Sequence, residues 1–241
     1  MGFYRSIAEV YNKIFPLNPG QVAFTNRAFS QTGDLSLLDI GCGTGSLSLA
    51  LSTTFKKVTG IDLDEAMLEK AGIVANEKTN LEFFTLDMLE IDTHFYPETF
   101  DGILCYGNTL VHLSSLEQIS SFFKKCQVLL NPHGKLLIQI INYDRILDQK
   151  INSLPTLENN DIQFIRNYHY NADKHLIDFE TILTIKKKNQ VIMNSVPLFP
   201  VRKSEIEAAL LDAGFSKLNF FGNFKGEALG SDSIPMVIEA S

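Results

Sequence analysis

Apolar positions along this chain keep a helical period at the start, alternate between strand-like runs and helical stripes through the middle, and settle to a period of two near residue 160. Over residues 4–14 they recur at helical spacing (Ile7, Val10, Tyr11, Ile14), Pro16 and Pro19 interrupt them, and a second helix is expected over 21–29. Strands are expected over 36–40, 57–62, 81–86, 100–105 and 135–141. Helices fall between them: one after Gly45 with Leu47, Leu49, Ala50 and Leu51, one opening at Asp64 with Met67, Leu68 and Ala71, and one over 115–130 with Phe122, Cys126 and Leu129 on one stripe. Asn131-Pro132-His133-Gly134 is expected to turn that last helix into the fifth strand. Such alternation predicts an α/β domain, its parallel sheet covered on both faces. Residues 162–170, 176–185 and 190–199 are instead rich in β-branched and aromatic side chains, with a polar break at Lys186-Lys187-Lys188-Asn189, which predicts an antiparallel β lobe inserted within 150–200. A helix over 203–213 stopped by Gly214 and strands over 215–221 and 236–239 complete the pattern.

The chemistry begins at Leu37-Leu38-Asp39-Ile40-Gly41-Cys42-Gly43-Thr44-Gly45, where an apolar strand runs into alternating glycines. Followed about twenty residues later by Gly60-Ile61-Asp62, it is the signature of a nucleotide-binding turn with an acid placed for ribose hydroxyls. Asp62 also reads as a simple strand-end turn residue. A nicotinamide-dependent dehydrogenase shares this arrangement, but its third glycine falls one place after Gly45, where Ser46 stands, and no Tyr-x-x-x-Lys pair is evident for hydride chemistry.

Composition narrows the classes. At 241 residues, 45% hydrophobic, the chain can bury one full core. A net charge of -7 argues against a nucleic-acid groove, which needs a basic surface. Three cysteines without a Cys-x-x-Cys pair fit a reducing compartment, and no apolar run approaches a membrane span. A cytoplasmic monomer or homodimer, with no metal, membrane or nucleic-acid partner, is the expectation.

The ordered motifs resemble those of class I S-adenosylmethionine-dependent methyltransferases: the glycine turn, then Gly60-Ile61-Asp62-Leu63-Asp64, Leu86-Asp87-Met88, and Leu210-Leu211-Asp212-Ala213-Gly214-Phe215. Residues 104–113 (Leu-Cys-Tyr-Gly-Asn-Thr-Leu-Val-His-Leu), Ile141-Asn142-Tyr143-Asp144-Arg145-Ile146-Leu147 and Phe221-Gly222-Asn223-Phe224-Lys225 are most similar to the glycine and sarcosine N-methyltransferases. The resemblance implies a Rossmann-like doubly wound sheet, a helical cap over 1–30, a methyltransferase domain over 31–241, and S-adenosylmethionine as cofactor.

It also implies roles. Gly41, Cys42 and Gly43 would approach the cofactor's methionine portion and ribose, Asp62 the ribose hydroxyls, and Asp87 and Met88 the adenine, with Leu63 also in contact with the cofactor; Asp87 also reads as a helix cap. Tyr4, Tyr11 and Gln21 match positions that fold over the cofactor, although both tyrosines also read as core of a helix. Tyr106 would line the methionine end. Asn108 would orient an acceptor amine through its carbonyl oxygen, or cap the next helix, and His112 would serve as general base or as a satisfied pocket histidine. Ile141 and Asn142 are assigned to the substrate pocket. At Ile141 the glycine N-methyltransferases carry an arginine for the substrate carboxylate, so glycine and sarcosine are expected to be poor acceptors here. Arg145, Arg166 and Arg202 are the candidate replacements, each also readable as a solvated charge. The resulting expectation is methyl transfer to a small molecule, nitrogen favoured, with the β lobe as substrate lid; the alternative is a catalytically silent cofactor-binding module.

Overall fold

The computed structural model describes residues 3–29, 32–75 and 78–241, so the expected boundary at residues 30 and 31 lies outside the described residues. Helices α1 (Phe3–Ile7), α2 (Tyr11–Ile14) and α3 (Pro19–Ala28) precede an alternating series: β1 (Ser36–Ile40), α4 (Ser46–Leu51), β2 (Lys57–Asp62), α5 (Glu65–Ala75), β3 (Leu81–Thr85), α6 (Ile91–His94), β4 (Phe100–Cys105), α7 (Leu116–Leu129) and β5 (Leu130–Ile141). Then follow α8 (Tyr143–Asp148), β6 (Ser153–Glu158), β7 (Ile162–Asn171), β8 (Leu176–Ile185), β9 (Gln190–Leu198), α9 (Lys203–Asp212), β10 (Leu218–Phe221) and β11 (Pro235–Ala240).

Seven strands form one sheet in the order β10-β11-β5-β4-β1-β2-β3, parallel except where β11 runs against β5 and β10. Adjacent residues feed opposite faces: Leu38, Ile40, Ile103, Cys105, Leu136 and Ile138 pack on one side with α7, whereas Leu37, Leu104, Leu137 and Val237 pack on the other with Phe24, Leu51 and Phe55. Burial on both faces is why these strands read as continuous apolar runs. The strand order reverses between β1 and β4. Ligands in open α/β sheets bind at the carboxyl ends of such a pair.

The second sheet is an antiparallel meander, β6-β7-β8-β9. Its inner face buries Ile162, Phe164, Leu183 and Ile185 against Ile7, Val10 and Ile14 of the N-terminal segment. Ion pairs Lys13–Asp161 (3.0 Å) and Lys188–Glu9 (2.7 Å) flank this contact. Among the described residues, no helix is long and apolar enough to cross a membrane.

Four elements differ from the sequence reading by more than one residue. The first expected helix is broken by a 3-10 turn at Ala8–Val10, and α3 starts two residues early, with Pro19 in the first turn and the Asn18 side chain accepting from the Gly20 amide. Strand β5 begins at Leu130, before the expected turn, because Leu130 pairs with Phe100; residues 131–134 bulge before Lys135 resumes pairing with Gly102. The strand expected from Phe215 begins at Leu218, since the Phe215 amide closes α9 on Leu210 and the Ser216 and Lys217 amides go to Ser241. Helices α6 and α8 and strand β6 had no counterpart in the periodicity.

Gly45 ends the turn after β1 at φ 74°, and a Cβ there would sit 2.6 Å from the Phe83 ring. Gly45→Ala is expected to cost about 1–2 kcal/mol from the left-handed backbone alone. A thermal midpoint matching wild type would show that the turn relaxes freely.

Candidate cofactor and acceptor site

The turn that follows β1 places Gly41 at φ 68°, with a Cβ at this position only 2.5 Å from the Thr109 side chain, so only glycine lets the β1 and β4 loops approach this closely. A Cβ on Gly43 would touch the Tyr11 ring at 3.3 Å, which puts α2 directly over the turn. Asp62, at the end of β2, accepts the Gly43 amide on Oδ2 (2.8 Å) and the Asp64 amide on Oδ1 (2.9 Å). Burial pushes its carboxyl upward while these backbone donors pull the other way. Asp39, 3% exposed, accepts the Ser48 hydroxyl. Burial pushes its pKa up to about 7, with the Asp62 charge adding to the shift.

A cavity of about 570 Å³ opens beside the turn, within the range of small-ligand sites. Of the expected cofactor residues, Gly41, Cys42, Tyr4, Tyr11, Gln21 and Tyr106 line it. Asn108, His112 and Ile141 form a second wall. The lobe supplies a third with Leu154, Arg166, Tyr168 and Phe179.

Tyr4 and His112 are joined by a 2.8 Å bond between the phenol oxygen and Nε2, their rings edge to face at 5.6 Å. Burial lowers the His112 pKa, so the ring is neutral at neutral pH, and it pushes the Tyr4 phenol far above its ordinary range. Tyr106 turns its hydroxyl away to Thr25 (3.1 Å), leaving the stretch from Tyr106 to Asn108 on the cavity.

Other expected residues are placed differently. Asn108 is at φ 70°, its Oδ1 accepting the Ile141 amide at 2.9 Å and its Nδ2 donating to the Tyr143 hydroxyl at 3.1 Å. Its carbonyl oxygen is thus already engaged, and the side chain ties the ends of β4 and β5 together around the cavity. Asn142 does not line the cavity: its Oδ1 accepts the Arg145 amide at the start of α8 and its Nδ2 donates to the Ser233 carbonyl (3.2 Å). Gly43, Asp62, Leu63, Asp87 and Met88 also lie outside the cavity proper. Leu63 is exposed, whereas Met88 is buried in the core near Ile61 and Ile91. Asp87 accepts the Leu89 amide at 2.8 Å, a turn contact two residues on; it does not cap α6, whose N-cap is Glu90.

Sequence reasoning singled out neither Asp39 nor Tyr168 as part of this site, and it left Arg166 among three open arginines. The signal was present: each is a polar or charged residue at an inward position of an otherwise apolar strand.

A methyltransferase domain model matches residues 37–134. A protein of Geobacillus sp. (strain WCH70), itself named as a methyltransferase, is 25% identical over 234 residues, covering 93% of this chain and 94% of the other. The glycine/sarcosine N-methyltransferase of Aphanothece halophytica is 26% identical over 209 residues, 84% of this chain and 74% of that one. Among solved structures, a S-adenosylmethionine-dependent methyltransferase from Clostridium acetobutylicum superposes with TM-score 0.81 at 15% identity, covering 100% and 99% of the two chains. The S-adenosylmethionine-bound structure of an amino pentose methyltransferase from Micromonospora echinaspora superposes with TM-score 0.73 at 16% identity, over 97% and 96%.

Proposed function

We propose that this chain, which is a class I S-adenosylmethionine-dependent methyltransferase, methylates a nitrogen on a small molecule enclosed between the sheet and the β lobe. One observation carries the reading: a single cavity joins the glycine turn, the Asn108–His112 wall and the inner face of the lobe. The residues fit the cofactor. Among the described residues Asp39 and Asp62 are buried carboxylates with no cationic side chain paired to them, which suits a ligand bearing a sulfonium, an ammonium and ribose hydroxyls. When bound, the cofactor supplies an electrophilic methyl group.

The chain's part is to bind, orient and exclude water. The Tyr4–His112 pair and Tyr11 close the cavity over the turn, and Asn108 and Tyr143 fix its floor by their mutual bond. Neutral His112 can take the proton that an amine gives up on methylation, while alignment of the amine does most of the work. The lobe acts as the lid on the acceptor. The named glycine/sarcosine N-methyltransferase relative supports nitrogen as the methylated atom.

Homocysteine-product formation across a panel of small amines and phenols tests this. Turnover with amines supports it, and turnover confined to phenols, or with none, overturns it. With an aromatic amine that stays neutral throughout, kcat is expected to be flat from pH 8 to about 6.5 and to fall below that as His112 takes a proton, because its pKa is lowered from the usual value near 6.5. His112→Asn should lower kcat about a hundredfold, the lower end for loss of a general base, and remove this limb. An unchanged pH profile in the variant would show that His112 only fills space.

A further inference from the structure

We propose that Arg166 is an anion anchor in the acceptor site, and that the acceptor carries a carboxylate which pairs with its guanidinium beside Thr181. This rests on the small-molecule reading above and names a second functional group on that acceptor.

Along β7, residues 162, 164, 166 and 168 share the inward face by strand alternation. Ile162, Phe164 and Tyr168 are buried there, so a charged residue interrupts an apolar row. Directly opposite on β8 stands Thr181, 1% exposed, between the inward-facing Phe179 and Leu183. Neither polar group is satisfied. The Arg166 Nη2 donates to the Pro155 carbonyl at 2.6 Å, but Nε is buried without a partner, and so is the Thr181 hydroxyl. Among the described residues no carboxylate lies within ion-pair distance of Arg166. Burial lowers its pKa, with only the neighbouring Tyr168 phenol acting in the other direction.

The other two arginines lie elsewhere, although the Arg145 Nε is likewise buried without a partner. Arg202 pairs with Asp144 and Asp148, both at 2.9 Å, and Arg145 lines a shallow cleft with Asp148 and Gln149, away from the cavity. Arg166 alone of the three lines the cavity. A guanidinium forks to a carboxylate in two parallel bonds, and the desolvated cation gains most from an anion delivered into the same enclosed space. One cation and one hydroxyl match a singly charged group better than a phosphate dianion. Because Ile141 gives the wall near Asn108 no donor, the carboxylate belongs on the lobe side, separated from the reacting nitrogen.

The test uses the full chain saturated with S-adenosylhomocysteine, titrated calorimetrically with glycine, 3-aminopropanoate and 4-aminobutanoate, with 1-aminopropane as the carboxylate-free partner, and with inorganic phosphate. The expected result is that at least one of the longer amino acids binds tenfold or more tightly than 1-aminopropane and than phosphate. Arg166→Met should erase that preference and Arg166→Lys retain part of it. Arg166→Gln, which is shorter and uncharged but keeps a donor, serves if the methionine variant does not fold, and it too should lose most of the preference. Equal binding of amino acids and 1-aminopropane, tighter binding of phosphate, no binding by any carboxylate, or a preference unchanged in the folded variants overturns the proposal. Methylation of amines regardless of a carboxylate would leave the nitrogen reading standing and remove this one. Arg166-dependent carboxylate binding without methylation of any amine would do the reverse.

Discussion

Asp39→Asn is expected to stabilise the cofactor-free protein by roughly 4 kcal/mol at pH 8, an unusual direction for a change beneath a ligand site. In the unfolded chain this carboxyl releases its proton near pH 4, whereas in the folded protein burial holds the proton until about pH 7. Between those values the folded state carries more protons than the unfolded one, so stability falls as pH rises. The penalty is absent below about pH 4, grows through the window from 4 to 7, and is complete above it. Asparagine keeps an oxygen for the Ser48 hydroxyl without the charge. Denaturant titrations of both proteins should therefore coincide near pH 4 and diverge toward pH 8. Curves that stay parallel across this range would show that Asp39 ionises normally in the fold. The cationic cofactor compensates the same charge, so it should raise the wild-type midpoint more at pH 8 than at pH 5.5, and the variant should bind it less tightly.

The second large effect is on cofactor affinity. Asp62→Ala is expected to weaken S-adenosylmethionine binding by roughly 1.5–3 kcal/mol, about 10- to 150-fold in Kd, the range for hydrogen bonds to a charged group. The structure adds a reason beyond the ribose: the same carboxylate receives the Gly43 and Asp64 amides, so its loss also loosens the turn. Asp62→Asn, which keeps one acceptor oxygen, should fall between. Calorimetry on folded variants decides the matter, and an unchanged Kd would show that this acid does not hold the ribose.

The sheet was legible because each central strand carries its own punctuation. Strand β1 stops at a glycine, β2 at Asp62 before the Asp64 cap, and both are apolar on two faces, so their limits and those of β4 coincide with the expectation. Strand β6 escaped notice because it is an edge strand, largely exposed and interrupted by Pro155, which only an edge tolerates. Helix α8 is six residues long and is started by the Asn142 cap rather than by a periodic stripe. The break at Ala8–Val10 has no proline or glycine behind it. It arises where Tyr4 reaches His112 while Ile7, Val10 and Ile14 lie on the lobe, contacts more than a hundred residues apart that no local pattern records. For the site, the motifs located the turn and its acid. Which of Arg145, Arg166 and Arg202 faces the cavity depended on how the meander folds back.

The N-terminal segment has a kinetic consequence. It rests on the lobe through Ile7, Val10 and Ile14, lies over Gly43 through Tyr11, and meets the β4 wall through Tyr4. On the proposed function, one stretch of chain therefore closes the cofactor side and the acceptor side together. Neither ligand can leave by the covered face without parting the Tyr4–His112 bond, so opening is a single event shared by both products. Loosening that latch would speed release and let water reach the reacting centre in the same motion, coupling turnover frequency to the fidelity of transfer.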